Sequence, residues 1–497
     1  MNRIALIVTI AALSIGGPAD TLTGRWVSRV PNNDGTFRET IFVLTQQGTA
    51  LTGAIITPTS EQPFVDGAAD GDTFSFASAP ATNPRRTLYR GTRTGDTIAL
   101  TIARPGRLDQ TLSADRGPDS AGRLPVRAEP PALHPVPDNG LARTPPMGWN
   151  SWNHFHGQID DATVRAIADA MASSGMKDAG YTYVNIDDTW EQARDANGRI
   201  TTNRKFPNMK ALADYVHSKG LKIGIYSSPG PFTCAGYEGS YGHEMDDART
   251  YAEWGIDYLK YDWCGAGRMY KDSEMQAIYQ KMGDALRTVG RPIVYSLCQY
   301  GRQDVWKWGA EVGGNLWRTT GDISDNWDSM TRIGFGQDGL GPYAKPGHFN
   351  DPDMLEIGNG GMSDAEYRTH MSLWALLSAP LLAGNDLRSM TPETVKILTN
   401  RDVIAIDQDL LGRQGRRVRK DGDVEIWTKP LSGGATAIGV FNRSASEAST
   451  TLRCGDFQAC GGHRIRDLWA QADRGAFGET YAVSIPSHGV ALLRVSK

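Results

Sequence analysis

Met209-Lys-Ala-Leu-Ala-Asp-Tyr-Val-His-Ser-Lys-Gly-Leu-Lys-Ile-Gly-Ile-Tyr226 reads as a helix running straight into a strand. Met209, Leu212, Tyr215 and Val216 recur on one face of a 3.6-residue repeat, Gly220 closes the helix, and residues 221–226 form a short apolar run of strand length. The unit recurs on both sides. Val164, Ile167, Ala168 and Met171 give one helix face, with Asp160 or Asp161 as N-cap, and Met275, Ile278, Tyr279, Met282 and Leu286 give another, closed by Gly290. Strands are expected at 147–152, 181–187, 221–226, 258–262, 292–297, 315–319, 348–351 and just before Leu382. Eight strands alternating with helices over about 250 residues match a (β/α)8 TIM barrel, placed at 141–410.

Outward from that barrel the pattern changes. A chain of 497 residues exceeds one ordinary core, so further domains are expected. Residues 21–113 alternate like strands and are broken by Asn32-Asn33-Asp34-Gly35, Gln46-Gln47-Gly48 and Thr94-Gly95-Asp96, which predicts an N-terminal antiparallel β domain, sandwich or barrel. Such a module serves as a spacer or stability element, or binds glycan. Prolines at 118, 125, 130, 131, 135 and 137 make 114–140 a stiff linker. Beyond about 411 the helical period stops, and 411–497 reads as a C-terminal antiparallel β-sandwich.

Met1-Asn2-Arg3, the apolar stretch from Ile4 to Ile15 and the small residues after it have the form of a signal peptide over 1–19. The run is shorter than the roughly 20 residues needed to span a bilayer. Export to the periplasm or outside is therefore expected, with no integral membrane segment. Lys+Arg 52 against Asp+Glu 56 gives a net charge of -4, which offers a polyanion nothing to hold, so no nucleic-acid partner is expected. Five cysteines in an exported chain invite pairing. Cys454 and Cys460 are close enough in sequence to pair locally.

In such a barrel the C-terminal strand ends share one mouth, and polar residues there are the candidates for chemistry. They are Trp149 and Trp152; Asp187, Asp188 and Trp190; Tyr226; Lys260, Asp262 and Trp263; Cys298, Gln299 and Tyr300; Arg318 and Asp322; and Asp351, Asp353 and Met354. Carboxylates accept hydrogen bonds from paired hydroxyls, and aromatic faces cover the apolar side of a pyranose. A phosphate site would need glycine-rich loops, and none follows a strand. His154, His156 and His348 lack zinc spacing, so no metal and no cofactor are implied.

Thr144-Pro-Pro-Met-Gly-Trp-Asn-Ser-Trp152, Ile186-Asp-Asp-Thr-Trp190, Leu259-Lys-Tyr-Asp-Trp-Cys264, Trp317-Arg-Thr-Thr-Gly-Asp-Ile323 and Asn350-Asp-Pro-Asp-Met-Leu355, with Gly220 to Tyr226, resemble glycoside hydrolase family 27. The resemblance runs from about Asn139 to Arg419, weakens through the C-terminal domain and does not reach the first 138 residues. It implies a retaining α-galactosidase with Asp262 as nucleophile and Asp322 as acid/base, preferred over Asp325 on motif position. It implies Trp152 as ring platform, Asp187 and Asp188 on the 4- and 6-hydroxyls, and Tyr226, Lys260, Arg318, Asp353 and Met354 around the sugar. It also implies a Cys234–Cys264 disulfide. Lys260 and Arg318 are expected to keep Asp262 ionised, and the surroundings of Asp322 to raise its pKa. At the fifth strand the family often has Cys-Glu-Trp where this chain has Cys298-Gln299-Tyr300. The loop faces the sugar's 2-position, and keeping Cys298 and bulky Tyr300 there argues for a free 2-hydroxyl. β-L-arabinopyranosidase, isomaltodextranase and α-N-acetylgalactosaminidase activity stay open as alternatives, as does an inactive glycan-binding protein. Oligomeric state is not legible.

Overall fold

The computed structural model describes residues 21–457 and 462–497. The segment expected to be a signal peptide, and Cys460 with the local pairing to Cys454 that the sequence allows, lie outside the described residues. The described residues divide into two compact units, residues 21–32 with 37–123, and residues 33–36 with those from 124 onward.

In the first unit Phe37–Gln47 pairs antiparallel with Gly24–Pro31 on one side and with Ala50–Ile56 on the other, which closes a nine-stranded sheet into an antiparallel barrel. The period-2 pattern explains its filling. Along Thr97–Ala103 alternate side chains are buried, and Ile98, Leu100 and Ile102 join Trp26, Phe42, Phe74 and Phe76 in one core. Of the two expected forms, sandwich or barrel, the barrel is observed.

The second unit carries eight parallel strands: β1 (Met147–Asn150), β2 (Tyr183–Asn185), β3 (Lys222–Ser227), β4 (Tyr258–Asp262), β5 (Val294–Cys298), β6 (Leu316–Arg318), β7 (Phe349–Asp351) and β8 (Leu381–Ala383). They pair in chain order, with β8 against β1, and curl into a half-barrel. Between β7 and β8 no ladder forms, and the isolated bridge Leu355↔Ala383 marks that seam. Residues of β5 are all buried, as strands covered on both faces must be. Helices α1 (Asp161–Ser173), α2 (Met209–Ser218), α3 (Glu244–Trp254), α4 (Met275–Thr288), α5 (Trp327–Phe335) and α6 (Asp364–Leu377) alternate with them. Asp160 is the N-cap of α1, its carboxylate accepting from Thr163 N at 2.8 Å. On α2 the buried face is Met209, Leu212, Ala213 and Val216. Tyr215, expected on that face, turns aside and donates its hydroxyl to Asp169 of α1 at 2.8 Å.

Residues 124–140 run along this unit, where His134 N donates to Gln280 Oε1 at 2.8 Å and Val136 N to Glu311 O at 2.7 Å. The C-terminal part is a β-sandwich of a six-stranded and a two-stranded antiparallel sheet. Its strand Val424–Pro430 is anchored by buried Lys429, whose ammonium donates to Ala375 O of α6 at 2.9 Å and to Ile406 O at 2.5 Å. No helix among the described residues is long and apolar enough to cross a membrane.

Candidate active site

The C-terminal ends of the parallel strands bring the expected residues to one mouth. β1 stops at Asn150, whose Oδ1 accepts from Trp152 N at 2.9 Å as a single helical turn, Trp152–Phe155, begins. This turn leaves the Trp152 ring partly exposed, edge-on to His156 at 5.6 Å. Asn150 Nδ2 and Lys260 Nζ both donate to Asp187 Oδ2 at 2.8 Å. Asp188 accepts from Ala235 N at 2.8 Å and Thr189 N at 2.7 Å. Burial outweighs those donors and pushes the Asp188 carboxyl up to about 7.

Asp262, the last residue of β4, is 4% exposed. Burial raises its pKa, while the Lys260 ammonium and a Tyr300 hydrogen bond pull it down. Lys260 also sits 5.3 Å from the Tyr226 ring centroid. Cys234 and Cys264 are joined in a disulfide beside this strand end. Cys298, opposite Asp262 in the β4–β5 register, is the free cysteine among the described residues and is buried.

From β6, Arg318 holds the far side together. Its Nη2 lies 3.1 Å from Asp322 Oδ1 and 3.0 Å from Asp353 Oδ2, and its Nη1 is 3.7 Å from Cys298 Sγ. One expectation changes here. Arg318 is committed to Asp322 and Asp353 rather than to Asp262, because its Nη2 reaches both carboxylates on its own side. The Asp322 side chain is 68% exposed in the turn after β6. Asp325 is a loop anchor, accepting from the Tyr367 hydroxyl at 2.9 Å and 3.0 Å. Asp353 accepts from Ile323 N and Met354 N, both at 2.8 Å, and so ties the β7 end to the loop that carries Asp322.

Thr189, Tyr300 and Asp353 have φ of 86°, 64° and 95°. Such values are uncommon for residues with a Cβ and cluster where a site over-determines its backbone. Sequence reasoning missed Glu356, which is buried, pushed up to about 7 by that burial, and bonded by Asn359 Nδ2 at 2.7 Å and by Asn153. It missed as well that the Tyr300 hydroxyl donates to Asp262 Oδ1, at 2.7 Å. No spacing signal marks either contact.

A buried carboxylate and an exposed one flanking a mouth lined by further acids and aromatic rings define a glycoside hydrolase. Residues 144–409 match the family model described as alpha galactosidase A, and residues 421–495 match that of the alpha galactosidase C-terminal beta sandwich domain. The chain belongs to this α-galactosidase family, glycoside hydrolase family 27. It is 49% identical over 356 residues to an alpha-galactosidase of Oryza sativa subsp. japonica, covering 70% of this chain and 84% of that protein. It is 47% identical over 382 residues to alpha-galactosidase A of Cellvibrio japonicus, covering 72% and 93%. Among solved structures, alpha-galactosidase I from Mortierella vinacea superposes with a TM-score of 0.70 at 37% identity, over 73% of this chain and 99% of the other.

Proposed function

We propose that this chain is an exported exo-glycosidase that removes terminal α-D-galactosyl residues from oligosaccharides, galactomannan or glycoconjugates with net retention. Asp262 is the nucleophile and Asp322 the acid and then the base. The observation that carries the pairing is Arg318, which contacts Asp322 on one side and on the other Cys298, the register partner of Asp262. A double displacement needs the two carboxyls on opposite sides of the anomeric carbon, about 5–5.5 Å apart. Asp262 attacks while Asp322 gives its proton to the departing oxygen. Water then enters, Asp322 takes its proton, and Asp262 leaves.

Selection of galactose rests on Asp187 and Asp188. Asp187 is fixed by Asn150 and Lys260, and Asp188 by two backbone N–H groups, so both carboxyls are oriented before a sugar arrives. Trp152 offers a ring face, Tyr300 closes the 2-position, and Tyr226, Asp353 and Met354 complete the wall. The relatives named for α-galactosidase activity support this reading over the arabinopyranosidase, isomaltodextranase and N-acetylgalactosaminidase alternatives. We read the eight-strand sheet as a (β/α)8 barrel whose seam lies between β7 and β8. Export is supported by the apolar run after Arg3 and by the Cys234–Cys264 bridge, a bond that persists in oxidising compartments.

A substrate panel with the first product anomer read by NMR tests the function. Hydrolysis of 4-nitrophenyl α-galactoside with α-galactose formed first is expected. No turnover of it at any pH from about 4 to 8, with cleavage of an arabinopyranoside or an isomalto-oligosaccharide, overturns the proposal.

A further inference from the structure

Tyr300 follows β5 by two residues, and its backbone lies in the left-handed region with φ 64°. Gly301 follows at φ 77°, and its N–H donates to Arg318 O at 3.0 Å. A Cβ on Gly301 would come within 2.1 Å of Thr319 O, so no other residue fits the turn without moving the β6 backbone. Two successive left-handed residues pressed against β6 fold the phenol back over β4. There its hydroxyl donates to Asp262 Oδ1 at 2.7 Å. The Arg318 guanidinium lies 5.8 Å from the ring centroid.

Lys260 acts on the Asp262 carboxylate through its charge, and no other neighbour gives it a comparable hydrogen bond. The Lys260 ammonium bonds Asp187, not Asp262. Cys264 Sγ is 3.6 Å from Oδ1 but belongs to the disulfide and has no proton to give. The Cys298 thiol is a weak donor. Burial and the adjacent Asp262 push the Tyr300 phenol far up, so it keeps its proton at every working pH.

We infer that Tyr300 is a positioning residue for the nucleophile: its O–H fixes Oδ1 of Asp262, leaves Oδ2 to attack, and stabilises the carboxylate again as it departs in the second displacement. The inference rests on Asp262 being the nucleophile. In the first step the Oδ2–C1 bond forms, the bond from C1 to the leaving oxygen breaks, and that oxygen takes the Asp322 proton. In the second, water oxygen bonds C1, its proton passes to Asp322, and the electron pair of the C1–Oδ2 bond returns to Asp262. A hydrogen bond to the anion is stronger than one to the ester it becomes. Tyr300 therefore favours the free carboxylate over the glycosyl-enzyme, which helps the second step more than the first.

Tyr300→Phe removes that one donor. The expected result is a kcat lower by about tenfold or more, with KM falling in step as the glycosyl-enzyme accumulates, and a burst of 4-nitrophenol in stopped flow. The acid limb of kcat/KM moves to higher pH, because Asp262 loses a donor while Lys260, Asp187, Cys298, Tyr226 and Tyr279 still face it. Replacing Tyr300 by 3-fluorotyrosine keeps the ring, strengthens the donor and moves the limb to lower pH, which decides the matter if the Phe variant folds poorly. A limb that stays in place in both variants, with no burst, makes Tyr300 a wall of the pocket and overturns the inference. Labelling with 5-fluoro-α-galactosyl fluoride separates the two levels: a label on a residue other than Asp262 removes the nucleophile assignment itself, whatever Tyr300 does.

Discussion

The two sides of the catalytic mouth are built differently. On the β4–β5 side Asp262 is buried, held by Tyr300 and set in a parallel register with Cys298. On the β6–β7 side Asp322 rides a turn, largely exposed, with Arg318 as its hydrogen-bond partner. The residue proposed as nucleophile is already buried and hydrogen-bonded in the free protein, and the residue proposed as acid is exposed. In the proposed mechanism the atom that must attack along one line is thus buried and hydrogen-bonded, and the group whose protonation must alternate stands open to solvent.

That contrast is broken most severely at Asp262. Asp262→Asn keeps the shape and removes the attacking oxygen, and kcat on 4-nitrophenyl α-galactoside should fall by about four orders of magnitude or more. Azide should restore turnover with β-galactosyl azide as product, identified by NMR. A variant that keeps substantial activity would place the nucleophile elsewhere. Asp322→Ala acts on the looser side and is expected to be more forgiving. On a natural galactoside the loss should be about 10²–10⁴-fold, and on an activated aryl galactoside far smaller, because a good leaving group needs little protonation. Steady-state kinetics on both substrates measures the ratio, and equal losses would contradict the acid assignment.

The rigid side was also the more legible one. β4 is expected at 258–262 and observed at Tyr258–Asp262, where buried Tyr258, Leu259 and Tyr261 mark the strand although Lys260 interrupts the apolar run. β1 is expected two residues longer than observed, because the Asn150 side chain accepts from Trp152 N in a local turn and so ends the strand before Trp152. Tyr300 could be placed at the mouth from its strand, but not on Asp262, for that contact depends on a left-handed turn that hydrophobic period does not encode. Glu356 escaped for a different reason. Its partner Asn153 lies 203 residues away in the chain, so its burial exists only once β1 and β7 have met the same mouth. Whether the sheet closes or stops as a half-barrel likewise depends on the β7–β8 seam, where strands of three residues leave only an isolated bridge.

The smallest effect sharpens the comparison within the loose side itself. Asp325 stands three residues beyond Asp322 on the same loop and competes for its role on sequence grounds. Its carboxylate is taken up by the Tyr367 hydroxyl and by Gly361 N, so it braces the loop from behind and has no free oxygen aimed at a leaving group. Asp325→Asn keeps the size and one acceptor oxygen for those bonds. kcat/KM should change by no more than about threefold, the loss of one partly exposed charge-assisted hydrogen bond remote from the transition state, and by the same factor on natural and activated substrates. A leaving-group-dependent loss in Asp325→Asn, with Asp322→Ala indifferent to the leaving group, would exchange the two roles and move the acid from the exposed end of the turn to its anchored one.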